Sequence, residues 1–144
     1  MSIDTSTTVY SIEALSTGAG RNGHVVTSDQ ALDLDMAAPK ELGGSGAGFN
    51  PEQLFAAGYA ACFHSALQAV ARGRKIALTD SSVGARVELV RDEIGFTIAV
   101  TLEVVLPSVE HELAEDLVAA AHAMCPYSRA TAGNIAVTLT VSQD

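Results

Sequence analysis

The side chains in this 144-residue sequence best suited to nucleophilic or redox chemistry are its two cysteines, Cys62 and Cys125. A thiol reacts as its thiolate, so each would need surroundings that favour the anion. Cys62 falls in a run without formal charge, Leu54 to Ala71, where desolvation raises a thiol pKa unless a cation stands nearby. On the residues alone, an inert pair of small core side chains competes evenly with a reactive pair. The four histidines, His24, His64, His111 and His122, include no i, i+4 pair and no accompanying Cys-x-x-Cys, so no metal is expected. Glu110, Glu112, Glu115 and Asp116 read as a solvated face rather than as paired acid–base catalysts.

Two glycine-rich stretches could suggest phosphate binding, and both fail on context. Gly18-Ala19-Gly20-Arg21-Asn22-Gly23 matches G-x-G-x-x-G, but extended, β-branched residues His24 to Thr27 follow where a helix would have to begin. The Gly43–Gly48 loop precedes a helix but lacks the Gly-Lys-Ser/Thr ending. Cys125-Pro126-Tyr127-Ser128 is similar to the active-site turn of glutaredoxins with the second cysteine replaced by serine. There the cysteine opens a helix and follows a strand, whereas here the pattern makes it close a helix, where the dipole opposes a thiolate.

With 8 basic against 17 acidic residues the formal net charge is −9, which offers no footprint for nucleic acid or anionic lipid. A hydrophobic content of 48% against 17% charged predicts a substantial core, built from aliphatic and small side chains because aromatics make up only 5%. The length suits one domain, 1–144. Two cysteines do not make a disulfide scaffold, and Met1–Tyr10 has no signal-peptide pattern, so a reducing cytoplasm is expected. The uncharged run reaches the length of a membrane span, but alanine and glycine dominate it and His64, Ser65 and Gln68 interrupt it. No membrane insertion is expected.

The elements that would position these residues follow from periodicity. Thr7–Ser16 reads as a strand with Val9, Ile12 and Leu15 inward, Asn22-Gly23 as a two-residue hairpin turn, and His24–Ser28 as the second strand. Leu32, Leu34 and Met36 alternate with Asp33 and Asp35 in a third. Asn50 as cap, Pro51 at the first position and Glu52 in the first turn start a helix that runs to about Arg72, where Gly73 closes it. Apolar side chains nearly all round leave this helix no solvent face, which demands wrapping by an intertwined dimer. Val83–Val90 and Phe96–Leu106 are strands, Glu110–Met124 an amphipathic helix, and Ile135–Val141 a last strand. The fold class is α+β, order β-β-β-α-β-β-α-β, with antiparallel sheet wrapped around long central helices.

Four segments carry most specifically a family resemblance that extends over essentially the whole chain. They are Thr17 to Gly23, Pro39-Lys40-Glu41-Leu42-Gly43-Gly44, Asn50 through Cys62, and Cys125-Pro126-Tyr127-Ser128-Arg129-Ala130-Thr131 with Gly133-Asn134-Ile135. In these the sequence resembles the organic hydroperoxide resistance branch of the Ohr/OsmC family. The resemblance implies a homodimer of OsmC-like fold and a thiol peroxidase in which Cys62 is peroxidatic and Cys125 resolves it. It further implies that Arg21 contacts the reactive sulfur, that Glu52 holds Arg21, and that a dithiol, such as a lipoyl group on another protein, returns the electrons. Ala132 stands where many members carry arginine.

The implied residue types suit the implied chemistry. A guanidinium can stabilise both a thiolate and the alkoxide that leaves as an O–O bond breaks, and a carboxylate can orient its fork. Phe49, Phe55, Tyr59 and Phe63 are the apolar side chains expected to receive the tail of an organic hydroperoxide substrate, and no cofactor is expected. Two other readings are an OsmC-type general peroxidase and a non-catalytic dimer that binds apolar ligands. The Arg21-Asn22-Gly23 hairpin and the short connection after Gly73 favour the Ohr branch over the first.

Overall fold

In the computed structural model, which describes residues 6–144, the alternation around Asp33 and Asp35 builds the third strand of an antiparallel meander. Its strands are β1 (Ala14–Thr17), β2 (His24–Thr27) and β3 (Asp33–Asp35). Ala14 pairs with Thr27, and His24 with Asp35. β1 is shorter than the periodicity suggests, and Val9, Ile12 and Leu15 are exposed rather than inward, Val9 by 94%. The β1–β2 connection is not a two-residue Asn-Gly turn. Positive φ falls on Gly18 (80°) and Gly20 (63°), and Gly20–Asn22 winds into one turn of 3-10 helix. Gly23 serves another purpose, since a Cβ there would sit 2.1 Å from the Thr17 carbonyl oxygen.

On this sheet His24 stands between two carboxylates, with Nδ1 2.8 Å from Asp35 Oδ1 and Nε2 2.5 Å from Asp33 Oδ1. Asp35 and then Asp33 hold its pKa above the usual value. Both ring nitrogens can donate at once only in the imidazolium.

These strands belong to one compact unit, Met1–Pro51, and the remaining elements to a second, Glu52–Asp144. The central helix α1 (Pro51–Gly73) begins with Pro51 at its first position, as expected, and continues without a break past Gly58. Gly73 does not end it. Lys75 takes the left-handed conformation (φ 58°), with Ile76 N–H donating to Ala71 O and Lys75 N–H to Arg72 O, a Schellman closure on a non-glycine residue.

β4 (Ser82–Arg91) and β5 (Phe96–Val105) form an antiparallel hairpin, and β6 (Val137–Ser142) lies beside β5. The β5–β6 pairing is parallel, not antiparallel, because a helical crossover returns the chain to the end at which β5 began. That crossover holds α2 (His111–Met124), capped by Glu110 accepting from the Glu112 and Leu113 amides, and a further helix, α3 (Pro126–Thr131). The order is therefore β-β-β-α-β-β-α-α-β. The fold is α+β, as expected.

The core of the second unit joins Tyr59, Phe63, Leu67 and Val70 of α1 to Val100, Leu102 and Val104 of β5 and Ala114, Leu117, Val118 and Ala121 of α2. α1 has the length and composition of a membrane span, with mean hydropathy 1.3, yet Tyr59, Phe63 and Leu67 are wholly buried in this protein core. Within the single chain it also has an outward stripe. Gln53, Ala57, Ala61, Ser65, Gln68 and Arg72 are exposed at near-helical spacing, and alanine in that stripe is what made the helix read as apolar all round.

Candidate functional site

Cys62 and Cys125, 63 residues apart in sequence, meet with their sulfurs 3.6 Å apart. Both are free thiols, Cys62 partly and Cys125 fully buried. Cys62 sits mid-way along α1, and its neighbour Phe63 turns into the core. Cys125 is the residue at which α2 stops and α3 starts. Its N–H donates to Ala121 O at the end of α2, and Pro126 then occupies the first position of α3, where a missing N–H costs nothing. The expectation that Cys125 only closes a helix is thus corrected.

Burial pushes the Cys62 thiol above its ordinary value, the Tyr127 backbone N–H works against that rise, and the neighbouring Cys125 adds to it. The packing of α1, α2 and α3 thus holds the two thiols in contact in surroundings that disfavour the Cys62 thiolate. What the geometry can do directly is exchange: once one sulfur is oxidised, the other is placed to attack it.

Three aromatic rings cluster where α1 meets α3. Phe55, Tyr59 and Tyr127 pack with centroids 5.7 to 6.0 Å apart. Tyr127 lies so close over α1 that a Cβ on Gly58 would sit 2.8 Å from its hydroxyl and 3.3 Å from its ring. Gly58 is thus the close-approach point of α3 on α1, not a break in the helix.

This pairing of a mid-helix thiol with a thiol at a helix junction lies within the region, residues 43–140, that matches the family model of OsmC-like proteins. An organic hydroperoxide resistance protein of Xanthomonas axonopodis pv. citri is 48% identical over 136 residues, covering 93% of this chain and 95% of its own length. The chain belongs to the Ohr/OsmC family. Solved structures agree. That of an organic hydroperoxide resistance protein OsmC from Legionella pneumophila superposes with a TM-score of 0.91 at 50% identity, covering 94% of this chain and 99% of its own. That of an organic hydroperoxide resistance protein from Elizabethkingia anophelis gives 0.92 at 47%, covering 96% and 100%.

The other residues that the Ohr/OsmC resemblance marks are distributed as follows. Arg21 lies in the 3-10 turn of the first unit, partly buried. Glu52 lies in the first turn of α1, partly buried. Because α1 is continuous, ten residues of helix place the Glu52 and Cys62 Cα atoms about 15 Å apart along the axis. Of the expected apolar wall, Phe63 is wholly buried in the core, and Tyr59 is buried with its hydroxyl committed to Ser128 and Thr131. Neither side chain is solvent-exposed in the single chain. Phe55 is partly buried and Phe49, in the first unit, is 48% exposed. Ala132 is exposed at the end of α3.

The hydrogen-bonded grouping of Tyr127, Ser128 and Thr131 with Tyr59 and His122 was not evident from residue spacing. A signal existed in Pro126, a residue favoured at the first position of a helix, directly after a helix-terminating cysteine.

Proposed function

We propose that this protein is a cysteine-based organic hydroperoxide reductase with a role in hydroperoxide resistance. The observation that carries the proposal is the 3.6 Å contact between Cys62 and Cys125 in a chain of the Ohr/OsmC family. The names of its relatives, organic hydroperoxide resistance proteins, support the substrate class.

In this reading the Cys62 thiolate attacks the distal oxygen of ROOH, the O–O bond breaks, and the alkoxide takes up a proton to leave as ROH. Cys62 becomes a sulfenic acid. Cys125 then attacks the Cys62 sulfur, releasing water and forming the disulfide before further oxidation. An external dithiol, a lipoyl group on a partner protein, reduces the disulfide by exchange and is itself oxidised. Because burial disfavours the Cys62 thiolate, a cation is needed to stabilise it, and Arg21 is assigned that part with Glu52 orienting it. The assembly proposed is a homodimer in the cytoplasm, each chain one functional domain, with the outward stripe of α1 covered in the pair.

The test is a comparison of two variants against an alkyl hydroperoxide with a dithiol reductant in excess. Cys62→Ser is expected to abolish turnover and the first oxidation. Cys125→Ser is expected to retain the first oxidation but to stall or reach sulfinic acid. Loss of the first oxidation in Cys125→Ser but not in Cys62→Ser would reverse the roles, and loss in neither would end the proposal.

A further inference from the structure

Beside Cys125, four side chains from three helices form a continuous chain of hydrogen bonds. His122 Nδ1 of α2 lies 2.8 Å from Ser128 Oγ of α3, which lies 2.8 Å from Tyr59 Oη of α1. Tyr59 Oη lies 3.1 Å from Thr131 Oγ1, and the Thr131 hydroxyl donates to the Tyr127 carbonyl at 3.0 Å, shared with that of Ser128 at 3.3 Å. Tyr59 and Ser128 are fully buried, and Thr131 is buried.

The number of protons gives this chain a direction. A carbonyl only accepts, so the single Thr131 proton points at the backbone, and Thr131 Oγ1 must accept from Tyr59. The single Tyr59 proton is then used, so Ser128 donates to Tyr59, and Ser128 must in turn accept from His122. The reverse order would leave Thr131 Oγ1 and the Tyr127 oxygen 3.0 Å apart with no proton between them. The two backbone carbonyls at one end thereby select the Nδ1–H form of His122 at the other.

We infer that His122, Ser128 and Tyr59 are positioning residues for closure of the Cys62–Cys125 disulfide, with His122 acting as an Nδ1–H donor. The inference rests on the proposed role of Cys62 and Cys125 as a redox pair. α3 is only six residues long and has little stability of its own, so what docks it decides where the sulfur of Cys125, the residue that caps it, lies. The chain ties α3 through Ser128 and Thr131 to Tyr59, which stands one helical turn before Cys62 on α1. It ties α3 also to His122, three residues before Cys125 on α2. Both anchors thus sit one turn from the sulfurs that must meet. In the closing step the S–O bond of Cys62 sulfenic acid breaks and the S–S bond forms. The hydroxyl leaves with the Cys125 proton as water.

The experiment uses reduced full-length protein with cumene hydroperoxide, following sulfenic acid, disulfide and sulfinic acid by mass spectrometry. Ser128→Ala and His122→Leu are expected to form sulfenic acid at the wild-type rate and to close the disulfide at least about tenfold more slowly, since a misplacement of about 1 Å can cost 10²-fold. Sulfinic acid then accumulates. His122→Asn, whose amide retains an N–H donor, is expected to restore closure, and nitrogen shifts in the wild type are expected to show His122 protonated at Nδ1. Where Ser128→Ala does not fold, Tyr59→Phe, which deletes only the hydroxyl, carries the same ratio of closure to sulfenic acid formation. Closure at the wild-type rate in these variants, or a His122 protonated only at Nε2, would overturn the inference. A wild type that forms neither sulfenic acid nor disulfide would instead overturn the redox-pair reading.

Discussion

Oxidation of the reduced chain with one equivalent of an organic hydroperoxide should raise its stability substantially. The bond would close between residues 63 apart in sequence, whose sulfurs already touch at 3.6 Å. For a loop of that size the chain-entropy description gives about 4 kcal/mol, because the cross-link removes conformations from the unfolded state. With an unfolding entropy of about 2.1 cal/mol/K per residue, 144 residues give about 0.3 kcal/mol/K, so 4 kcal/mol corresponds to a rise of about 13 °C. Moving a fully buried Cys125 sulfur into bonding distance costs part of this, and the expected rise is between about 5 and 13 °C. The assay pairs free-thiol titration with thermal unfolding of reduced and oxidised protein, with Cys125→Ser as control. Two thiols per chain should disappear without cross-linked chains, and the control should not shift. A rise below about 2 °C with both thiols lost, an equal rise in Cys125→Ser, or a covalent dimer would refute the reasoning.

Organic hydroperoxides should react with larger second-order rate constants than hydrogen peroxide, since each buried methylene adds about 0.8 kcal/mol of binding that hydrogen peroxide lacks; equal constants with the same reductant would count against an apolar site. Because α1 is unbroken between Glu52 and Cys62, Glu52 is expected to serve the Cys62 of the partner chain, so mixing inactive Glu52→Ala with inactive Cys62→Ser should restore activity. Verified heterodimers without activity would place both residues in one site. Arg21→Ala should move the alkylation midpoint of Cys62 upward, further above the ordinary thiol value of about 8.5, since burial already raises it and the proposed cation would be lost. In that variant the raised thiol contributes stability below about 8.5 that is lost as pH rises through the folded value, and unchanged alkylation profiles would exclude Arg21 as the cation. His24 should titrate above 6.5 by nuclear magnetic resonance, its contribution present below that value and lost as pH rises through the folded one; a wild-type value at or below 6.5, or no fall in Asp35→Asn, would contradict the two-carboxylate geometry.

Features with local causes were legible in the residues alone. Pro51 and Glu52 start α1, alternation marks β4 to β6, and the spacing of Leu113, Leu117 and Ala121 marks α2. The two cysteines were identifiable as candidates from residue type, and their segments carried the family resemblance. Local pattern could not decide the rest. Alanine is compatible with core and surface alike, so α1 read as apolar all round until packing showed which stripe faces β5 and α2. The parallel β5–β6 pairing depends on where a crossover returns the chain, not on alternation within β6. α3 is too short for periodicity to reveal, and its six residues are held by contacts from Tyr59 and His122 that no spacing rule connects. Whether the cysteines were core fillers or neighbours was undecided in sequence for the same reason. Their 3.6 Å contact is set by how α1, α2 and α3 pack, through a glycine that admits Tyr127 and a buried hydroxyl network whose direction two carbonyls impose.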